Sequence, residues 1–209
     1  MLWSAFHGLI APEVPNCPQP VIDAQLLRTA IEFCTTTKVW VAELEPFSTE
    51  LATGTYDLAS PEQDSLVCNI SQLWLNGELL DFIPLGQMSR YATHWPTDVG
   101  AAEGYTQINP TSVTIYKIPT TVSEVKLLGV LRPTITAAGV PDWIGEKYFD
   151  ELVAGTKARL MAMVNVPWTN QQGSTLYAGI YKGDSLAVAQ ERAKTRSNVF
   201  LSAPAGGGA

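Results

Sequence analysis

Residues 151–170, ELVAGTKARLMAMVNVPWTN, decide how this chain folds. Ile144, Tyr148, Leu152, Gly155, Arg159 and Met163 follow one another at spacings of three or four, beside Phe149, Val153, Leu160 and Val164, which is the period of one helical face. Pro167 predicts the end of that helix, because the residue before a proline is pushed out of the α region. The face over residues 155–164 is too apolar and too small for a helix turned to solvent, so another helix must lie close against it. Two stretches qualify, residues 22–33 and residues 176–193.

The first begins after Pro20, a residue suited to the opening turn of a helix. Ile22, Leu26, Ala30 and Phe33 recur at helical spacing, Leu27, Ile31 and Cys34 widen the stripe, and the β-branched Thr35, Thr36 and Thr37 predict its end. The quoted helix starts after GVPDW, where Asp142 is placed to cap it. The last helix covers about 170–197 and presents Leu176, Ile180 and Ala187, with Tyr177, Tyr181 and Ala193 beside them and Lys194 and Arg196 at its C-terminal dipole. The helix-packing set predicted from these patterns is Ile22, Leu26, Phe33, Leu152, Gly155, Leu160, Met163, Trp168, Leu176 and Ile180. Residues 1–19 hold Pro12, Pro15 and Pro18 and are expected as an extended arm. Residues 198–209 have no periodicity and are expected as a flexible tail.

Between Lys38 and Ile135 the period changes to two. KVWVAELEPF alternates, SLVCNISQLWLNGELL places β-rich runs on either side of an Asn76-Gly77 turn, and SVTIYKIP and SEVKLLGVLRP continue the strand-turn rhythm. The segment SRYATHWPTDVGAAEGYTQINP, residues 89–110, is rich in turn formers and is expected as a long loop. The fold class predicted is α+β: a helical bundle from residues 20–37 and 140–197, with an antiparallel sandwich or barrel-like unit, residues 38–139, inserted between its halves.

Of the 209 residues, 46% are apolar, enough for a substantial core. The 13 basic against 20 acidic residues leave a net charge of −7, the opposite of the basic footprint that sequence-specific duplex binding uses. Residues 1–139 carry 6 basic and 14 acidic side chains, residues 140–209 carry 7 and 6. No apolar run reaches the roughly 18–20 residues of a membrane span, and the N-terminus lacks the positive region of a signal peptide, so a soluble protein made in a cytoplasm is expected. Cys17, Cys34 and Cys68 have no zinc or dithiol spacing and read as small hydrophobes.

No catalytic constellation assembles. His7 sits in the proline-rich segment and His94 in the long loop, and neither has a triad context. GAAEG lacks the Lys-Ser/Thr of a phosphate loop and reads as a turn. Asp142, Glu146, Asp150 and Glu151 complement a helix N-terminus rather than a metal. No metal, cofactor or enzymatic activity is therefore expected. Among the six tryptophans, Trp40 and Trp74 fall on strand patterns, while Trp143 and Trp168 flank a helix. Trp95, with Tyr91, gives a different reading, a sugar- or receptor-binding β-module with helical support.

The order of elements, with AIEFCTTTKVW at residues 30–40, PDWIGEKYFDELVAGTKARLMAM at 141–163 followed by VPWTN, and LYAGIYKGDSLAVAQERAKTR at 176–196, resembles the head-to-tail adaptor proteins of tailed bacteriophages, of the tail tubular protein A type. The resemblance covers roughly residues 20–197; it departs at Thr156, where the family has Ala after the Gly, and has no counterpart for residues 89–110 or either terminus. It implies a virion structural protein of the neck: a dodecameric ring beneath the portal protein, helical domains side by side, the β domain facing tail or nozzle proteins, and a channel for genome packaging and ejection. In that setting Tyr91, His94 and Trp95 form a tail-facing loop. Val199, Phe200 and Leu201, the bulky residues of a tail otherwise built of small and polar ones, are expected to anchor it on the portal.

Overall fold

The computed structural model describes residues 1–91 and 97–201, with side chains described for all of these except 89–91 and 195–201. In chain order its elements are a 3-10 turn (Trp3–Phe6), α1 (His7–Ile10), a second 3-10 turn (Ala11–Glu13), α2 (Gln19–Thr37), β1 (Val41–Glu43), β2 (Phe47–Ser48), β3 (Thr55–Asp57), β4 (Ser65–Leu75) and β5 (Glu78–Phe82). Then follow α3 (Leu85–Tyr91), β6 (Val99–Gly100), β7 (Gly104–Thr106), β8 (Ser112–Tyr116), β9 (Ile118–Pro119), β10 (Glu124–Pro133), α4 (Asp142–Lys147), α5 (Phe149–Met161) and α6 (Gln171–Leu201). The class is α+β. Two compact units divide the chain, Met1–Val39 with Ile135–Ala209, and Trp40–Thr134.

In the first unit, α2 buries Ile22, Leu26, Ala30 and Phe33. It closes at Lys38, whose left-handed backbone (φ 54°) returns its N–H to the Cys34 carbonyl. On α5, Leu152 and Leu160 are buried, and Gly155 lies against Thr29 of α2 and Tyr181 of α6. The Thr156 hydroxyl reaches that of Thr29 at 3.3 Å, and the Ser174 hydroxyl of α6 donates to the Ala158 carbonyl at 2.9 Å. Packing this close needs glycine, threonine and serine where larger side chains would hold helices apart.

Four expectations are corrected here. Residues 1–19 are not an extended arm: the prolines forbid one continuous helix but not short turns, and Trp3, Phe6, Ile10 and Val14, spaced three or four apart, are all buried. Trp3 donates its indole N–H to the Ala137 carbonyl at 2.8 Å, and His7 Nε2 lies 2.6 Å from Asp23 Oδ1. The quoted helix is two helices, broken at Tyr148, and Asp142 caps neither with its side chain, being ion-paired to the Met1 ammonium instead. It also stops at Met161, short of Met163. Asn165 turns left-handed (φ 60°) and the Thr169 hydroxyl donates to the Met163 carbonyl at 2.6 Å, so Met163 and Trp168, both partly buried, lie in a loop rather than on the helix. Finally, α6 runs through Leu201, so Val199, Phe200 and Leu201 belong to a helix rather than a loose tail; residues 202–209 lie outside the described residues.

The second unit is a curled, antiparallel-rich sheet of order β1-β10-β4-β5-β7-β8-β3, with β2 also on β10. Its spine is the β10–β4 pair, registered from Val125 opposite Leu75 to Pro133 opposite Ser65 and interrupted by two irregularities. Asn76 (φ 49°) and Gly77 (φ 85°) make the tight turn into β5, both central residues taking the positive φ such a hairpin requires. Two pairs are parallel, β5 with β7 and β6 with β9, where an all-antiparallel unit is expected from the sequence. The connection containing α3 makes the first possible, since parallel neighbours need a crossover. The predicted loop over 89–110 is thus partly ordered as the end of α3, β6 and β7. Val67, Leu73, Val113, Ile115, Leu127 and Leu131 form the core, with Met88 and Tyr116 packed on Ile83 beside it.

Candidate functional site

α6 is 31 residues long, about 46 Å at the usual rise, and it is apolar on two faces. One face packs on α5 and α2 through the buried Ser174, Ser185 and Val188 together with Tyr181. The opposite face carries Leu176, Ile180 and Ala187 with Gly179 and Gly183 between them. Leu176 is 62% exposed and Ile180 42%, and nothing lies within 4 Å of a Cβ built on either glycine. Leu176 and Ile180 therefore do not pack within the chain as the sequence pattern predicts. The side facing α5 and α2 is filled by Ser174, Ser185, Val188 and Tyr181, and Leu176 and Ile180 turn outward.

Each glycine inside a helix costs about 1 kcal/mol relative to alanine. Two of them one turn apart on an exposed apolar face leave a shallow indentation into which another helix fits closely. Sequence reasoning passes over this pair, although the spacing Gly179-x-x-x-Gly183 puts both on one face.

Beside that face the unit has a cleft of about 600 Å³ lined by Glu32 of α2, Ala158 and Arg159 of α5, and Ala178, Leu186 and Ala189 of α6. Arg159 and Glu32 pair across its rim. Burial, and after it the Glu32 carboxylate, push the Tyr181 phenol up to about 12, so Tyr181 works here as an uncharged wedge.

A second polar cluster fixes the N-terminal turns to this body. Lys157 is buried on α5; its Nζ donates to Glu13 Oε1 at 2.6 Å and lies 5.0 Å from the centre of the Tyr177 ring, whose hydroxyl also donates to Glu13. The hydrogen bond from Lys157, then that from Tyr177, hold the Glu13 carboxyl below the usual glutamate range. A lowered carboxyl stabilises the fold above its unfolded value of about 4.3, and the contribution disappears as pH falls through the lower folded value. Because Glu13 is 41% exposed, Glu13→Gln is expected to lower stability by only about 1–2 kcal/mol at pH 7, below the cost of breaking a fully buried pair. The difference from the parent should shrink as pH is lowered through the acid range below the unfolded value, read by urea unfolding across that range; a deficit unchanged by pH is incompatible with this linkage.

Of the other sequence-derived residues, Ile22, Leu26, Phe33, Leu152, Gly155 and Leu160 meet around α2 and α5. Trp168 is half-buried in the loop after α5. Tyr91 ends α3 in the other unit, while His94 and Trp95 lie outside the described residues, as the tail-facing loop does in part. Among the described residues no group of three or more His, Cys, Asp or Glu is placed to hold a metal ion, and no helix is long and apolar enough to cross a membrane. No protein-family model and no curated protein matches the chain.

Proposed function

We propose that this protein is a structural component of a tailed-bacteriophage neck, a head-to-tail adaptor whose copies form a ring of twelve joining the portal protein to the tail or nozzle proteins. In this reading residues 20–37 and 140–197 act as one helical bundle domain, residues 38–139 are the inserted β domain turned toward the tail, and the virion neck is its location after synthesis in the host cytoplasm. The observation that carries the reading is the outward face of α6: an exposed, glycine-indented apolar stripe on a helix already packed on its other side, suited to a neighbouring copy. The motifs over residues 20–197 supply the family, and the stripe supplies a reason for side-by-side assembly.

Charge fits the same role. The two units differ: residues 40–134 hold 11 acidic and 4 basic side chains, the rest of the chain 9 of each. Genome DNA passing a channel built from such a chain meets few cations that would hold it, which favours translocation over binding. Portal docking falls to the end of α6, through Val199, Phe200 and Leu201, with no cofactor or catalytic step involved.

Mixing the purified protein with its portal is expected to give one large ring complex by native mass spectrometry and negative-stain imaging. Truncation after Arg196 should weaken that association at least about tenfold, because apolar anchors dominate such contacts. Absence of any ring rejects the adaptor role, whereas full association by the truncated chain rejects only the docking segment.

A further inference from the structure

The two ends of the sheet path in the β-rich unit come together without joining. β1 and β2 lie along β10, with Val41 opposite Val130 and Phe47 opposite Val125, and β3 pairs with β8, with Tyr56 opposite Val113. Among the described residues no ladder links β3 to β1 or β2, so each of these edges has a side without a strand partner. What ties them is the Tyr56 side chain: the Phe47 and Tyr56 rings are 4.9 Å apart, and the Tyr56 hydroxyl accepts the Glu50 N–H at 3.1 Å and donates to the Thr53 carbonyl at 2.6 Å.

At this seam is an open cleft of about 380 Å³, lined by Leu44, Phe47 and Tyr56 and by the carboxylates of Glu45, Glu50 and Asp57. All three acids are exposed, and none is in an ion pair among the described residues. Free strand edges present peptide groups that another extended chain can pair with, and proteins bind extended segments by adding a strand in this way.

Charge selects the occupant. With 11 acidic and 4 basic residues in this unit, a second copy of it is repelled, and so is any acidic segment. A strand carrying Lys or Arg at alternate positions gathers those charges on one face for Glu45, Glu50 and Asp57, and leaves its intervening apolar side chains for Phe47 and Tyr56, all of which line this one cleft.

We propose that this seam receives an extended, lysine- or arginine-bearing segment of a protein partner as an added strand. The inference stands apart from the ring assembly, because it involves neither α6 nor the helical unit.

The test uses the full-length protein and a capped eight-residue peptide alternating lysine and valine, titrated calorimetrically at low salt. Saturable binding is expected, weakened at least about tenfold in the Glu45→Gln/Glu50→Gln/Asp57→Asn variant, whose changes are all at exposed positions. A peptide of the same charge with proline at its central valines should bind at least about tenfold more weakly, since it cannot complete a ladder. Equal binding of the proline peptide overturns the added strand and leaves nonspecific charge attraction. Equal binding by the triple variant places the contact elsewhere, and no binding of the alternating peptide removes the proposal altogether. None of these results bears on portal association.

Discussion

Gly155→Leu is expected to destabilise the protein by about 3 kcal/mol or more, at the upper end of what overpacking costs, lowering the melting temperature by about 6–10 °C for a chain of this size. A Cβ at this position falls 2.6 Å from Thr29 Cγ2 and 2.8 and 2.9 Å from two Tyr181 ring carbons. Both neighbours would have to shift to admit it. Thr29 is tied to its own helix by a 2.8 Å bond to the Gln25 carbonyl and faces the Thr156 hydroxyl, and Tyr181 is wedged by the same packing that raises its pKa. Even Gly155→Ala, which gains about 1 kcal/mol of helix propensity, is expected to lose stability, because α2 and α6 must both shift to admit one methyl group. The contrast is Gly179→Ala on α6, which meets open space and should stabilise the isolated chain by about 0.5–1 kcal/mol. Differential scanning calorimetry of the three variants separates the two kinds of glycine. A Gly155→Leu protein melting within about 2 °C of the parent would contradict the close three-way approach.

The α+β class was legible because its signals are local. Ile22, Leu26 and Phe33 repeat with helical period, and Asn76-Gly77 is a hairpin turn whose φ values few other dipeptides adopt. What escaped was decided by contacts between distant residues. The parallel pairing of β5 with β7 depends on where the segment after Phe82 returns, which no alternation pattern encodes. On α6 hydrophobicity alone selects the wrong face: Leu176 and Ile180 outrank Ser174 and Ser185 on any apolar scale, yet the two serines are buried and it is Tyr181 that sits against Gly155. Residues 1–14 were hidden for another reason. Prolines rule out a long helix, but short turns place Trp3, Phe6 and Ile10 just as regularly, and only the apolar spacing, not the proline count, signals that. The outward face of α6 was half-visible, since its glycines were in plain view while their neighbours' exposure was not.

The N-terminal turns also bear the second large expected effect. Phe6→Ala should cost about 3–4 kcal/mol, the usual range for removing a buried phenylalanine, and Leu9→Ala, three residues on, less than about 0.5 kcal/mol. Phe6 is fully buried, its ring stacked on that of Phe149 at 4.8 Å and 13° and tilted against that of Trp3 at 6.4 Å, whereas Leu9 is 51% exposed. Deleting Phe6 leaves a void among side chains fixed by His7 with Asp23 and by Glu13 with Lys157, so the surrounding turns cannot collapse to fill it. Urea unfolding followed by circular dichroism gives both values, and a Phe6→Ala loss below about 1 kcal/mol would restore the picture of a loosely held arm. The outcome also governs how assembly experiments are read. If the first 14 residues are part of the core, their removal abolishes a ring by unfolding the helical unit, and a loss of portal binding in such a truncation says nothing about docking. Only changes at the far end of α6, where the helix runs on to Leu201, test the docking contact while leaving that core intact.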